Sequence, residues 1–123
     1  LLIVAALSEE RLKELYDYAT ELGLEVLVET HNLAELEVAH RLGAEIIGVN
    51  NRNLTTFTVD LQTSVDLAQH FEEGRYYISE SAIFTGQDAI RVAPYFNGIL
   101  VGTALMQAED VAQRIKELQI DKG

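Results

Sequence analysis

Gly43-Ala44-Glu45-Ile46-Ile47-Gly48-Val49-Asn50-Asn51-Arg52-Asn53 decides the fold of this chain. The segment opens on a glycine placed where a helix should stop. It then crosses a short apolar run, Ile46–Val49, and breaks off into polar residues. A run this short, apolar on both alternations and rich in β-branched side chains, reads as a strand of a covered parallel sheet. Runs of the same kind fall at Leu1–Ala5, Glu25–Val28, Tyr76–Ile78 and Ile99–Val101.

Helical patterns lie between the runs. Leu12, Leu15, Ala19 and Leu22 form one apolar stripe, Leu61, Val65, Ala68 and Phe71 a second, and Val111, Ile115 and Leu118 a third. Ser8 and Asn32 are placed as N-caps, and Glu35 stands three residues after Asn32, at capping-box spacing. Gly23, Gly43 and Gly74 each mark a helix end. Leu22-Gly23-Leu24-Glu25-Val26 has a weak echo in Leu42-Gly43-Ala44-Glu45-Ile46. No linker or low-complexity segment divides the chain, so residues 1–123 read as one domain of five βα units. Two architectures accept five such units. One is an open doubly wound sheet of the flavodoxin type, and the other is part of a (β/α)8 TIM barrel. The start inside an apolar run, without an initiator methionine, and the polar strand ends favour a partial barrel cut from a longer protein.

Composition narrows the function. The chain has 123 residues, 20 acidic against 9 basic, and a net charge of −11, which repels phosphate backbones and anionic lipid surfaces. Nucleic acid and membranes are therefore not expected partners. The longest apolar run, Leu1–Leu7, is far short of the ~20 residues of a membrane span, and no basic segment precedes it as in a signal peptide. Without cysteine there is no disulfide framework and no thiolate metal site. A soluble, cytoplasmic α/β protein is the expectation.

In either architecture ligands bind beyond the carboxyl ends of the strands. Glu29-Thr30-His31 follow the second run, Asn50-Asn51-Arg52-Asn53 the third, Ser79-Glu80-Ser81 the fourth and Gly102-Thr103 the fifth. Each cluster has a plain structural reading beside a functional one. Glu29 is a rim carboxylate or an acidic helix-start residue. The asparagines suit a turn, while Arg52 suits a carboxylate or phosphate through its planar fork. Glu80 could pair with Arg52. Gly102-Thr103 is a packing glycine with an N-cap, or a turn offering amides to a phosphate. His31 is read as a loop residue, and His40 and His70 as surface or packing residues. The three histidines make no metal site at these spacings. Glu9-Glu10 and Glu72-Glu73 read as solvated helix ends, and Tyr76 and Tyr77 as packing around the fourth strand.

Four segments together carry a family resemblance: residues 24–29 (Leu-Glu-Val-Leu-Val-Glu), 43–54, 78–83 (Ile-Ser-Glu-Ser-Ala-Ile) and 98–106 (Gly-Ile-Leu-Val-Gly-Thr-Ala-Leu-Met). In this order and spacing they resemble indole-3-glycerol phosphate synthase, from its fourth strand to its eighth helix. That family closes an indole ring on 1-(2-carboxyphenylamino)-1-deoxyribulose 5-phosphate, losing carbon dioxide and water in tryptophan biosynthesis. The resemblance implies a general acid/base at Glu29, an amide near the substrate at Asn50, the loop arginine at Arg52 and a catalytic pair at Glu80-Ser81. It implies a phosphate site at Ala82, Gly102 and Thr103, an apolar contact at Leu54, a small phosphorylated substrate, and no metal or organic cofactor.

Two departures stand out. Ala82 replaces the family's usual glycine beside the phosphate. The family's essential lysines lie on earlier strands, whereas Lys13, Lys116 and Lys122 fall in a helix stripe and near the C-terminus. The chain alone is therefore expected to be inactive, with the N-terminal half of the barrel as its missing partner. A non-catalytic half-barrel module is the alternative from another class, and another phosphate-binding barrel such as phosphoribosylanthranilate isomerase is a third. Open strand edges at Leu1–Ala5 and Ile99–Val101 predict self-association, opposed by charge at low salt.

Overall fold

A computed structural model describes residues 1–53 and 55–119. Among them, β1 (Leu2–Ile3), β2 (Leu27–Thr30), β3 (Ile46–Asn50), β4 (Tyr76–Glu80) and β5 (Gly98–Leu100) form one sheet, parallel throughout. The helices α1 (Glu9–Glu21), α2 (Leu33–Leu42), α3 (Gln62–Leu67) and α4 (Gly86–Val92) connect consecutive strands, and α5 (Thr103–Met106) and α6 (Val111–Leu118) follow β5.

Strand order separates the two architectures left open by the sequence. The order is β1-β2-β3-β4-β5, with every strand beside its chain neighbours. Right-handed crossovers in a consecutive order put all connecting helices on one face. A doubly wound sheet would reverse direction at a switch point. The chain is thus a partial (β/α)8 barrel of five units, and the flavodoxin-like reading falls.

Register assigns the two faces. Val28, Ile47 and Tyr77 lie at one level of the sheet, and all three are buried. They join Leu12, Leu36, Ala39, Leu67 and Val92 in the core between sheet and helices. Phe71 stacks on Tyr77 with ring centroids 3.6 Å apart and meets Phe96 edge-on at 5.2 Å. The Tyr77 hydroxyl accepts from Glu72 N at 2.8 Å and lies 3.0 Å from His40 Nε2, so His40 has the packing role expected of it. One residue before this level, Leu27 and Ile46 are half-buried while Tyr76 is 61% exposed. This second face is the barrel interior, and no helix covers it. Tyr76 therefore lies open on that face, whereas Tyr77 packs as expected.

Several boundaries move. The first strand is two residues long rather than Leu1–Ala5, because Val4–Ala6 curl into a 3-10 turn. As an edge strand it has a single ladder to hold it. The second and fourth strands run on to Thr30 and Glu80, past the first polar residue at which the sequence pattern would end them. The fifth is displaced by one residue, to Gly98–Leu100. In α3 the buried stripe includes Ser64, a polar residue that the apolar spacing passes over. The caps agree with expectation, Ser8 and Asn32 accepting from Arg11 N and Glu35 N, and Gly23 and Gly43 follow α1 and α2 with positive φ. Gly74 also has positive φ but lies in the turn before β4, because the helical segment ahead of it already ends at His70. Helix α4 has no clear stripe but opens on a full capping box between Thr85 and Asp88.

Candidate active site

The carboxyl ends of β2, β3 and β4 bring Glu29, Asn50 and Glu80 together. Glu29 pairs in register with Gly48, and Asn50 with Glu80. Side chains two positions apart share a face, so all three project from the uncovered face at its mouth. Glu29 is 7% exposed and Glu80 3%. Gly48 stands between them on the middle strand, where a Cβ would collide with Glu80 Oε2. The glycine in the deciding run is therefore the gap through which a carboxyl of β4 reaches across β3 toward β2.

Glu80 Oε2 has no nitrogen or hydroxyl partner among the described residues. What faces it is the Glu29 carboxyl. Two carboxyls in contact need a proton between them. Burial, and then the hydrogen bond and charge of Glu29, push the Glu80 carboxyl from its usual 4.5 up to about 8. At neutral pH the pair therefore holds one proton between Glu80 and Glu29. The possible Glu80–Arg52 ion pair is not formed among the described residues, and the Arg52 guanidinium donates to the Phe57 carbonyl at 3.1 Å.

A second set of contacts fixes the backbone around this pair. Asn51, 3% exposed, points to the helix side. Its Nδ2 donates toward Ser79 Oγ (3.0 Å) and the carbonyls of Glu80 (3.0 Å) and Ser81 (3.1 Å). Its Oδ1 accepts from Ser64 N (3.0 Å) and Ser64 Oγ (2.7 Å). This explains the serine in the α3 stripe, which satisfies a buried amide. Asn50, in contrast, turns its Oδ1 to the Arg52 backbone N–H at 3.0 Å and shapes the loop. Beyond β4 the chain takes two successive left-handed residues, Ser81 (φ 64°) and Ala82 (φ 62°). Such conformations are costly without glycine and cluster at working sites.

Arg52, Glu80, Ser81, Ala82 and Gly102 line one cavity of about 290 Å³, together with Ile83, Phe84 and residues of the β5 end. Five of the residues singled out from sequence therefore share a space, while Glu29 and Asn50 do not line it and connect to it through Glu80, by carboxyl contact and by register. The Gly102 carbonyl accepts from Leu105 N and Met106 N as α5 begins. Leu54 and the Thr103 side chain lie outside the described residues, as does Lys122. Lys13 pairs with Asp17 at 3.3 Å on the outer surface of α1, and Lys116 is exposed on α6. Neither reaches the mouth. Among the described residues, no cluster of three or more His, Asp or Glu is arranged to hold a metal ion. A larger apolar cleft of about 430 Å³ runs along the open edge of β5 and α6, away from these groups.

Gly48 and Ser64 were not legible as site residues from polarity, whereas Asn51, Ser79 and His31 stand in the polar strand-end clusters without a role assigned to them. A glycine inside an otherwise apolar strand was the available signal for Gly48. No helix among the described residues is long and apolar enough to cross a membrane.

Comparison with known proteins agrees with the geometry. The family model for indole-3-glycerol phosphate synthase matches residues 1–118. The indole-3-glycerol phosphate synthases of Streptococcus pneumoniae strains CGSP14 and G54 (serotype 19F) are each 95% identical over all 123 residues, and that of strain 70585 is 94% identical. In each case the chain spans about half the relative, 48% of its length. On the matched family model and this identity, the chain belongs to the indole-3-glycerol phosphate synthase family.

Proposed function

We propose that the chain supplies the C-terminal half of a cytoplasmic indole-3-glycerol phosphate synthase active site, within a single barrel domain. The substrate is 1-(2-carboxyphenylamino)-1-deoxyribulose 5-phosphate, and the reaction is a carbon–carbon lyase step with decarboxylation and dehydration. The ring carbon bearing the carboxylate bonds to the ketone carbon, carbon dioxide leaves, and the former ketone oxygen departs as water. That sequence needs an acid at the oxygen and an acid/base pair to remove water. Glu29 and Glu80 form such a pair, and their two buried carboxyls, meeting across Gly48, are the observation that carries the reading. Asn50 contacts the substrate beside them, with Ser81 at the end of β4. Arg52 belongs to the catalytic group with Asn50; Ala82, Gly102 and Thr103 anchor the phosphate, and Leu54 borders the aromatic ring. No metal or organic cofactor takes part.

Among the described residues no lysine stands at the mouth, and on this reading the chain alone binds phosphate but does not turn over. The experiment is a fluorescence assay for the indole product, run on the chain alone and on the chain mixed with the N-terminal half carried by its relatives. Product only in the mixture supports the proposal. Turnover by the chain alone refutes its inactivity, and a folded mixture without product refutes the enzymatic assignment.

A further inference from the structure

His31 is the group at the mouth that this reaction leaves unused. Its ring is 8% exposed and lies between carboxylates from two elements. Nδ1 is 3.0 Å from Glu35 Oε1, and Nε2 is 3.4 Å from Glu29 Oε2. Glu35 is itself held in place. Its Oε1 also accepts from the His31 backbone N–H at 2.9 Å, and its Oε2 accepts from Asn32 Nδ2 at 3.3 Å. Asn32 caps α2 by accepting from Glu35 N at 2.9 Å, which ties the carboxylate to the first helical turn. A carboxylate only accepts, so the proton of the neutral ring sits on Nδ1. Nε2 is then a buried lone pair without a hydrogen-bond partner, facing the Glu29 carboxyl.

We propose that His31, anchored by Glu35, is a positioning residue for Glu29, orienting its carboxyl and exchanging a proton with its Oε2. The proton that Glu80 and Glu29 share passes from Glu29 Oε2 to His31 Nε2, giving an imidazolium between the Glu29 and Glu35 carboxylates and leaving Glu80 ionised as well, and returns by the same path. Glu35, His31, Glu29 and Glu80 then form a row of four titratable groups from α2 across β2 to β4. The inference rests on the acid/base role proposed above for Glu29.

The test uses the chain joined to the half that its relatives carry. His31→Phe should lower kcat on the order of 10- to 100-fold while KM stays within about twofold, because orientation is lost and not binding. The limb of the pH–rate profile that belongs to Glu29 should move. His31→Gln keeps a polar group near Nε2 without titrating, and should recover part of the rate but not the pH limb. A His31→Phe enzyme with unchanged kcat and pH profile overturns the proposal. The second readout needs no turnover. Nitrogen-15 spectra of the imidazole in the 123-residue chain should show the Nδ1-protonated tautomer, with ring signals displaced by Glu29→Gln. The other tautomer, or no response to Glu29→Gln, also overturns it. If the joined wild type makes no product, the enzymatic assignment fails, and the spectra still decide the His31–Glu29 coupling.

Discussion

Replacing Glu80 by glutamine tests the carboxyl pair through stability. The folded-state value of about 8 lies above the ordinary 4.5, so the folded chain holds a proton that the unfolded chain gives up. The contribution is full below 4.5 and is lost as pH rises through 8. Each tenfold gain in proton affinity on folding is worth about 1.4 kcal/mol. The proton, however, is shared with Glu29, so only part of that gain belongs to Glu80. This sharing reduces the loss between about pH 5 and about pH 8 to on the order of 1–2 kcal/mol. Glutamine keeps a donor toward Glu29 and does not ionise, so Glu80→Gln should show almost none of this loss. Urea unfolding of both proteins at the two pH values measures it, with a difference of about 1 M in the wild-type midpoint. Burial holds the His40 imidazole below its usual value, which makes stability rise with pH over the lower part of the range. That trend has the opposite sign, is common to both proteins, and cancels in the comparison. Equal pH slopes for wild type and Glu80→Gln would refute the shared proton.

Other positions give independent checks. Ala82→Gly should leave stability unchanged or raise it by up to about 1 kcal/mol, since relief of the left-handed strain is partly offset by unfolded-state entropy. Ala82→Val should lose about 1 kcal/mol or more, and urea midpoints measure both variants. Asn51→Ala removes five hydrogen bonds from a buried site and leaves the Ser64 and Ser79 hydroxyls only each other, and should cost about 2–4 kcal/mol in the same assay. The uncovered face, with Tyr76 61% and Leu100 52% exposed, should drive self-association as salt screens the −11 charge. A monomeric mass by light scattering at all salt concentrations would refute it.

The apolar runs and glycine stops located all five strands, because burial on both faces writes a continuous apolar signature. Strand ends were harder to place. Glu29 and Glu80 belong to their strands, but their burial depends on each other, and neither residue alone announces that. The ring of polar strand ends identified Arg52, Glu80, Ser81 and Gly102, and the family resemblance added Ala82; all five share one cavity. Asn51 and Ser64 look like a turn residue and a helix-surface serine until tertiary structure places them 2.7 Å apart. His31 gained its partners in the same way, from the cap of the helix that follows β2.

The consecutive strand order also governs how the sheet comes into being. Each new βα unit docks on the unit just synthesised, so no strand has to wait for a distant segment before its first ladder closes. Among these five strands the one made last is an open edge, the surface most exposed to mispairing with other chains during synthesis. The carboxyl pair spans three successive strands, so its proton is captured only when the fourth of the five strands has docked.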